Sequence, residues 1–258
     1  MSFFILIAAR EFLIPRMKGK RVMKKNNSIL NPRNLVGIGI FAALASVVSF
    51  ATSFLKIGFL SLDAGDIVVV LASFIYGAPA GVVISAIASL VGFLYSGTGP
   101  WGLIMDFCSS ATFAFVAAFI YSRRRDFKSA IIGIAAAVLS TTAIMVPLNI
   151  LITPLYTGAP TAQVIGMILP LLLPFNFVKT LFNGSAALLI YKPVVRAMRA
   201  AHLAPPSRSE NLSATAKDGR APRPTVMALI LGGAALLVAV GGLVALSVIY
   251  GFHVELPW

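Results

Sequence analysis

Long apolar runs recur along this chain, several near or above the roughly 20 residues that cross a bilayer as a helix. A segment in lipid must satisfy its own backbone polar groups, so runs of this kind fold as membrane helices. Charged residues make up 11% of the 258 residues and hydrophobic ones 59%, whereas soluble domains carry about 25% charged residues. The chain therefore reads as a polytopic, all-α integral membrane protein, and one membrane domain accounts for it.

Spans are expected over 34–55, up to 76, and over 82–95, 102–121, 129–151, 166–191 and 225–250. Residues 67–76 are too short to cross alone, so part of 58–66 must dip toward the membrane or pack over it. Gly77-Ala78-Pro79-Ala80-Gly81 reads as a tight turn and 96–102 as a Gly/Pro loop. Residues 152–164 form an uncharged loop with Pro154 and Pro160, and 192–224 a polar linker.

The net charge of +13 is unevenly placed. Of the 21 Lys and Arg residues, eight precede Asn34, four lie in 123–128 and seven in 192–223. With the N-terminus inside, all of these fall on the cytoplasmic side, and 56–66, 96–102, 152–165 and the tail 252–258 fall outside. That is the positive-inside pattern of a cell-membrane protein and not a groove for nucleic acid. The basic N-terminus also suits anionic lipid, at about 1 kcal/mol per basic residue near the surface. Residues 3–9 are apolar but too short to span and lack a preceding basic region, so they do not read as a signal peptide. They are an interfacial segment or an over-long start, with initiation at Met17 or Met23.

Lys179 sits inside the apolar stretch 166–191. A charge near the bilayer centre costs about 2.5–3.5 kcal/mol on insertion scales and needs a partner or a polar cavity. Asn176, Lys179 and Asn183 are spaced i, i+3, i+7 and share one helical face. The stripe suits a polar ligand; the plainer reading is a helix–helix hydrogen-bond cluster. Pro170 and Pro174 just before it loosen the helix and free carbonyls that need partners, or form a simple kink. Asn149 offers donor and acceptor together, as a flavin or pyrimidine edge requires, or makes an interhelical amide bond. Asp63 and Asp66 are candidates for ligand contact, with Asp66 equally suited to capping the second helix. Asp106 could pair with Lys179, which would make the lysine structural.

Other features carry less. Gly97-Thr98-Gly99-Pro100-Trp101-Gly102 fits G-x-G-x-x-G, but that motif works within a βαβ unit and here both flanks are membrane helices. A tight turn with Trp101 at the interface is the better account. Gly39 with Ala43, and Ala42 with Ser46, place small residues at i, i+4, which suits internal packing or the docking of a second membrane subunit. Cys108 is the only cysteine, so neither an intramolecular disulfide nor a thiolate cluster can form, and its setting suits packing. There is no Walker A motif and no H-E-x-x-H, and His202 and His253 lie outside the spans. Binding or transport is favoured over enzyme chemistry.

In order along the chain come Leu62-Asp63-Ala64-Gly65-Asp66-Ile67, Ser96-Gly97-Thr98-Gly99-Pro100, Leu148-Asn149 followed by Pro154-Leu155-Tyr156, Pro174-Phe175-Asn176-Phe177-Val178-Lys179 and Leu189-Ile190-Tyr191-Lys192-Pro193. Together they resemble the riboflavin-specific substrate-binding (S) component of energy-coupling factor (ECF) transporters, over about 34–195. The resemblance implies a six-helix membrane fold with one vitamin bound near the outer surface, here followed by one extra C-terminal transmembrane helix. It implies partners as well: a transmembrane coupling (T) component and two cytoplasmic ABC-type ATPases, with the S component toppling in the membrane during transport. Asn149, Asn176 and Lys179 match the family's flavin-binding positions, with Asp63, Asp66 and Thr98 completing the candidate ligand set. Gly39 and Ala43 match its docking motif. No cofactor is implied, riboflavin being the transported ligand.

Val68, Leu103 and Asp106 depart from the family pattern and bear on ligand detail. The division this implies is a basic cytoplasmic segment over 1–33, a substrate-binding membrane domain over 34–195, a cytoplasmic linker over 196–224, and the extra helix with a short external tail over 225–258. The alternatives are an S component for another vitamin or precursor, a membrane enzyme acting on lipid through Asp106 and Lys179, and a scaffold with no small ligand.

Overall fold

With so few charges and so much apolar sequence, the backbone has only itself to bond, and helix takes most of the chain. The computed structural model describes residues 32–57, 60–125, 127–201 and 226–254. The basic N-terminal segment with Met17 and Met23, His202 and most of the linker lie outside these. The elements are α1 (Pro32–Ser53), β1 (Leu55–Ile57), β2 (Leu60–Ser61), α2 (Gly65–Tyr76), α3 (Ala78–Phe93), α4 (Gly99–Arg124), α5 (Phe127–Thr157), α6 (Thr161–Met167), a π turn (Ile168–Leu172), α7 (Leu173–Ala200), α8 (Val226–Tyr250) and β3 (Phe252–Val254). Helix α6, the π turn and α7 form one rod. Counted so, six helices among the described residues make a bundle and α8 packs on it.

Five of these helices are long and apolar enough to cross a membrane. The other two, α2 and α3, are shorter. Helix α2 is buried from Val68 to Ile75 on every face, because α1, α3, α4 and α7 all pack on it. A helix apolar all round is stable only when enclosed in this way. Large side chains elsewhere face outward, among them Val47, Leu139, Leu237 and Val248. An apolar exterior of this extent is a lipid-facing one.

Several boundaries differ from the sequence expectation, and most of the differences lie at a proline. The expected five-residue turn over 77–81 is the single residue Gly77, at φ 102°, and Pro79 lies in the first turn of α3. Pro100 likewise lies in the first turn of α4, which begins at Gly99 and not at residue 102. Proline fits there because the first N–H groups of a helix have no intrahelical acceptor. Helix α5 runs through Pro147 and Pro154 to Thr157, and α7 through Pro193 to Ala200, absorbing much of one expected loop and the start of the expected linker. Neighbouring helices can supply partners for groups that a proline frees within a bundle.

Strand β1 lies at the end of the expected first span, and β2 in the segment expected to pack over the second. Strand β1 pairs antiparallel with β2 on one side and with β3 on the other, in the order β2-β1-β3. No strand was expected in either place.

Helices α4 and α5 approach closely, and small residues on both, among them Ala117, Ala130 and Ala137, are buried. Gly133 marks the tightest point: a Cβ there would lie 2.6 Å from the Ala117 carbonyl oxygen. Gly133→Ala should therefore cost about 1–3 kcal/mol, as overpacking does. A lowered Tm in detergent checks this, and an unchanged one would show that the helices part at little cost.

Candidate functional site

The bundle helices that line a cavity do so near one end of the bundle. The cavity wall includes Ser49 and Ser53 of α1, Asp63 ahead of α2, Ser89 to Tyr95 around the end of α3, Thr98 to Ser109 at the start of α4, Met145 to Tyr156 on α5, and Phe175 to Lys179 on α7. The space not filled by protein atoms is about 950 Å³, part of it solvent at the mouth. Arg123 to Arg125, at the far end of α4, are exposed at the opposite end of the bundle.

Two amides and one ammonium, with two carboxylates and a set of hydroxyls, give the cavity its polarity. Asn149 donates from Nδ2 to the Met145 carbonyl at 2.7 Å, and its Oδ1 accepts from Thr153 at 3.1 Å. Asn176 donates from Nδ2 to the Leu172 carbonyl, also at 2.7 Å. Each side chain is thus pinned to the preceding turn of its own helix. An amide has two donors and two acceptor lone pairs, so each retains capacity for a ligand with its rotamer already fixed.

Lys179 is 8% exposed. Asp66, Asp63 and Asp106 act on it electrostatically, Asp66 most strongly. Among the described residues none of them forms a direct ion pair with it. Asp106 accepts instead from the Ser89 hydroxyl at 2.6 Å. Asp63 Oδ1 accepts from the Gly65 N–H at 2.7 Å, so Asp63 and not Asp66 serves the start of α2.

Of the six ligand candidates read from the sequence, Asp63, Thr98, Asn149, Asn176 and Lys179 line the cavity. Asp66 does not. It is buried beneath the wall, makes no cap hydrogen bond, and faces Asn183 at 3.5 Å. Asn183, third in the polar stripe, is also withdrawn: it donates to the Asp63 carbonyl at 2.8 Å and so ties α7 to the loop before α2. The stripe is thus part cavity wall and part helix-to-loop tie. Trp101, expected at the interface, is not on the wall, whose apolar part comes from Leu60, Phe93, Leu103, Met105, Met145 and Phe175, with Tyr95 and Tyr156. The serines Ser49, Ser53, Ser89 and Ser109 were not anticipated, because serine is common in membrane helices and a single one gives no signal.

The two small-residue pairs on α1 part company. Ala42 and Ser46 are buried, while Gly39 and Ala43 are exposed, with nothing within 4 Å of where a Gly39 Cβ would stand. Cys108 is half-buried and lies off the cavity wall.

Comparison with known proteins comes to the same fold. The family described as ECF transporter, substrate-specific component, matches residues 33–195. The riboflavin transporter RibU of Staphylococcus aureus (strain TCH60) is 28% identical over 185 residues, 68% of this chain and 95% of its own. The riboflavin transporter FmnP of Bacillus subtilis (strain 168) is 26% identical over 188 residues, 64% of this chain and 96% of its own. A solved structure of the S component of a bacterial ECF transporter matches with a TM-score of 0.55 at 28% identity, covering 64% of this chain and 96% of that one.

The tie made by Asn183 should carry stability without touching a ligand. Asn183→Ala leaves the Asp63 carbonyl without that donor and should cost about 1–3 kcal/mol. A fall in Tm for the ligand-free protein is the expected result, and an unchanged Tm would remove the tie from the account.

Proposed function

This chain belongs to the family of substrate-specific components of ECF transporters, and on that footing we propose that it binds riboflavin in the cavity and serves its uptake across the cell membrane. Membership places it among transport components and not among enzymes. The observation that carries the ligand assignment is the pairing of two pre-set amides, Asn149 and Asn176, with the Lys179 ammonium on a wall that also carries Phe93, Tyr95, Tyr156 and Phe175. A flavin presents that combination: a flat apolar ring with donors and acceptors along its pyrimidine edge. The names of the two relatives support the same ligand.

In this reading Asn149 and Asn176 bond the pyrimidine edge, and Lys179 donates to a ring carbonyl or a ribityl hydroxyl. Asp63 and Thr98 meet the ligand at the loop side of the cavity, and Asp66 holds the lysine from beneath. Binding in a cavity already shaped for the ligand limits the ordering cost. The exposed strip at Gly39 and Ala43 lets another membrane helix approach closely, and is assigned to the coupling component, with the ATPases behind it. The basic end, by the positive-inside rule, faces the cytoplasm and the cavity faces outward. Lipid covers the remaining apolar exterior, and nucleic acid has no part.

One feature favours a second ligand. Asp106 adds a carboxylate to the wall, which suits a vitamin or precursor with more donors than a flavin.

Titration of the ligand-stripped protein in detergent, following quenching of flavin fluorescence, tests the assignment. Saturable one-to-one quenching, relieved by lumiflavin but not by thiamine, is the expected result. No quenching by a folded protein would remove riboflavin. Asn176→Ala and Lys179→Ala should each weaken binding about tenfold or more, since a lost hydrogen bond to a buried or charged partner costs about 1.5–3 kcal/mol. Unchanged affinity in both, with normal insertion, would displace the ligand to other residues.

A further inference from the structure

Helix α8 and strand β3 lie beyond residue 195, where the family match ends. Their contacts concentrate on the elements that shape the cavity. Helix α8 runs antiparallel to α7, and glycines set the spacing: a Cβ at Gly242 would lie 2.9 Å from Val178 Cγ2, and one at Gly232 would lie 3.1 Å from Leu189 Cδ2. Nearer the cavity, Leu246 packs with Ile57 and Phe175 in one small apolar cluster, flanked by Leu60, Leu243 and Tyr250. Phe175 and Leu60 also line the cavity. Each of the two is therefore shared between the extra helix and the ligand space.

Two backbone contacts point the same way. Pro174 has no N–H, so the carbonyl four residues earlier, that of Pro170, lacks its α-helical donor. The Tyr250 hydroxyl donates to that carbonyl at 2.9 Å, which ties α8 to the π turn just ahead of Asn176 and Lys179. Strand β3 then pairs with β1 at Ile57↔Phe252, Lys56↔His253 and Leu55↔Val254. Strand β1 holds β2, whose residues Leu60 and Ser61 stand on the cavity wall. A lone two-stranded hairpin is at best marginally stable in water, and a third strand changes that.

We infer that α8 and β3 form a clamp that holds the hairpin against the cavity and braces the broken rod, so that this chain retains its ligand longer than the bundle alone would. Leu246 and Tyr250 are positioning residues in this scheme, acting through Phe175 and the Pro170 carbonyl without touching the ligand. Strand β3 acts through β1. The ligand part of the inference rests on the riboflavin reading; the part concerning the hairpin does not. Where a ligand leaves by the opening of a covering segment, loosening that segment raises the dissociation rate more than it alters the final complex.

The test compares the full chain with a variant ended after Gly251, with Leu246→Ala and with Tyr250→Phe. Hydrogen exchange is read at 55–57, 60–61 and 168–172, and riboflavin dissociation is followed by stopped-flow fluorescence. Ending the chain after Gly251 should speed exchange in the hairpin and raise the riboflavin off-rate, each by about tenfold, while exchange in α4 and α5 stays unchanged. Leu246→Ala should raise the off-rate with little change in the on-rate, and Tyr250→Phe should speed exchange at 168–172. Unchanged hairpin exchange and an unchanged off-rate in the shortened chain would overturn the inference. If the shortened chain loses protection throughout the bundle, Leu246→Ala and Tyr250→Phe decide by the same two readouts. If the full chain binds no riboflavin, the ligand reading falls by itself, and hairpin exchange still decides for or against the clamp.

Discussion

A buried ammonium organises the polar half of this bundle. Lys179 on α7 is almost enclosed, and a lone charge in such a setting would be strongly unfavourable. Three carboxylates from three places in the chain oppose it: Asp63 from the loop before α2, Asp66 from the first turn of α2 and Asp106 from α4. Each is held by another group, Asp63 by the Gly65 N–H, Asp66 by Asn183 and Asp106 by Ser89. The tie across to α7 is the Asn183 amide on the Asp63 carbonyl, and the cavity lies between the starts of α2 and α4 and the Lys179 side of α7.

The same end of the bundle concentrates its irregular backbone. The hairpin, the π turn and the helix starts at Gly65 and Gly99 all lie around the cavity, while the opposite end is held by ordinary contacts such as the Tyr121–Tyr191 hydroxyl pair packed on Phe74. Non-helical backbone within a membrane protein is tolerated where it lines a cavity or is buried in protein. The two pinned asparagines turn this irregular region into a defined one. Each amide is locked by a bond to its own preceding turn, so the polar edge offered to a ligand is set by helix geometry and needs no loop to order on binding.

The helices themselves were legible in the sequence, because apolar runs of spanning length in lipid have no stable alternative. Their ends were less so. Pro79, Pro100, Pro154 and Pro193 all read as breaks, yet the first two sit in first turns and the last two inside helices. Whether a proline ends a helix depends on who bonds the carbonyl it leaves behind. For Pro174 a partner is Tyr250, 80 residues away from the Pro170 carbonyl it serves. The strands were invisible for a related reason: β1, β2 and β3 are two or three residues each, too short to show an alternating pattern, and β3 exists only against β1.

By itself the sequence determined the class of fold and the helical face shared by Asn176, Lys179 and Asn183, since each follows from local composition or helical period. Tertiary structure decided which members of that face reach the cavity. Asn176 and Lys179 line it, whereas Asn183 turns to the Asp63 carbonyl and Asp66 lies beneath. It also decided that Gly39 and Ala43 stay open while Ala42 and Ser46 close against the bundle. Period tells which residues share a face; only the packing of the other helices tells how much of that face is left uncovered.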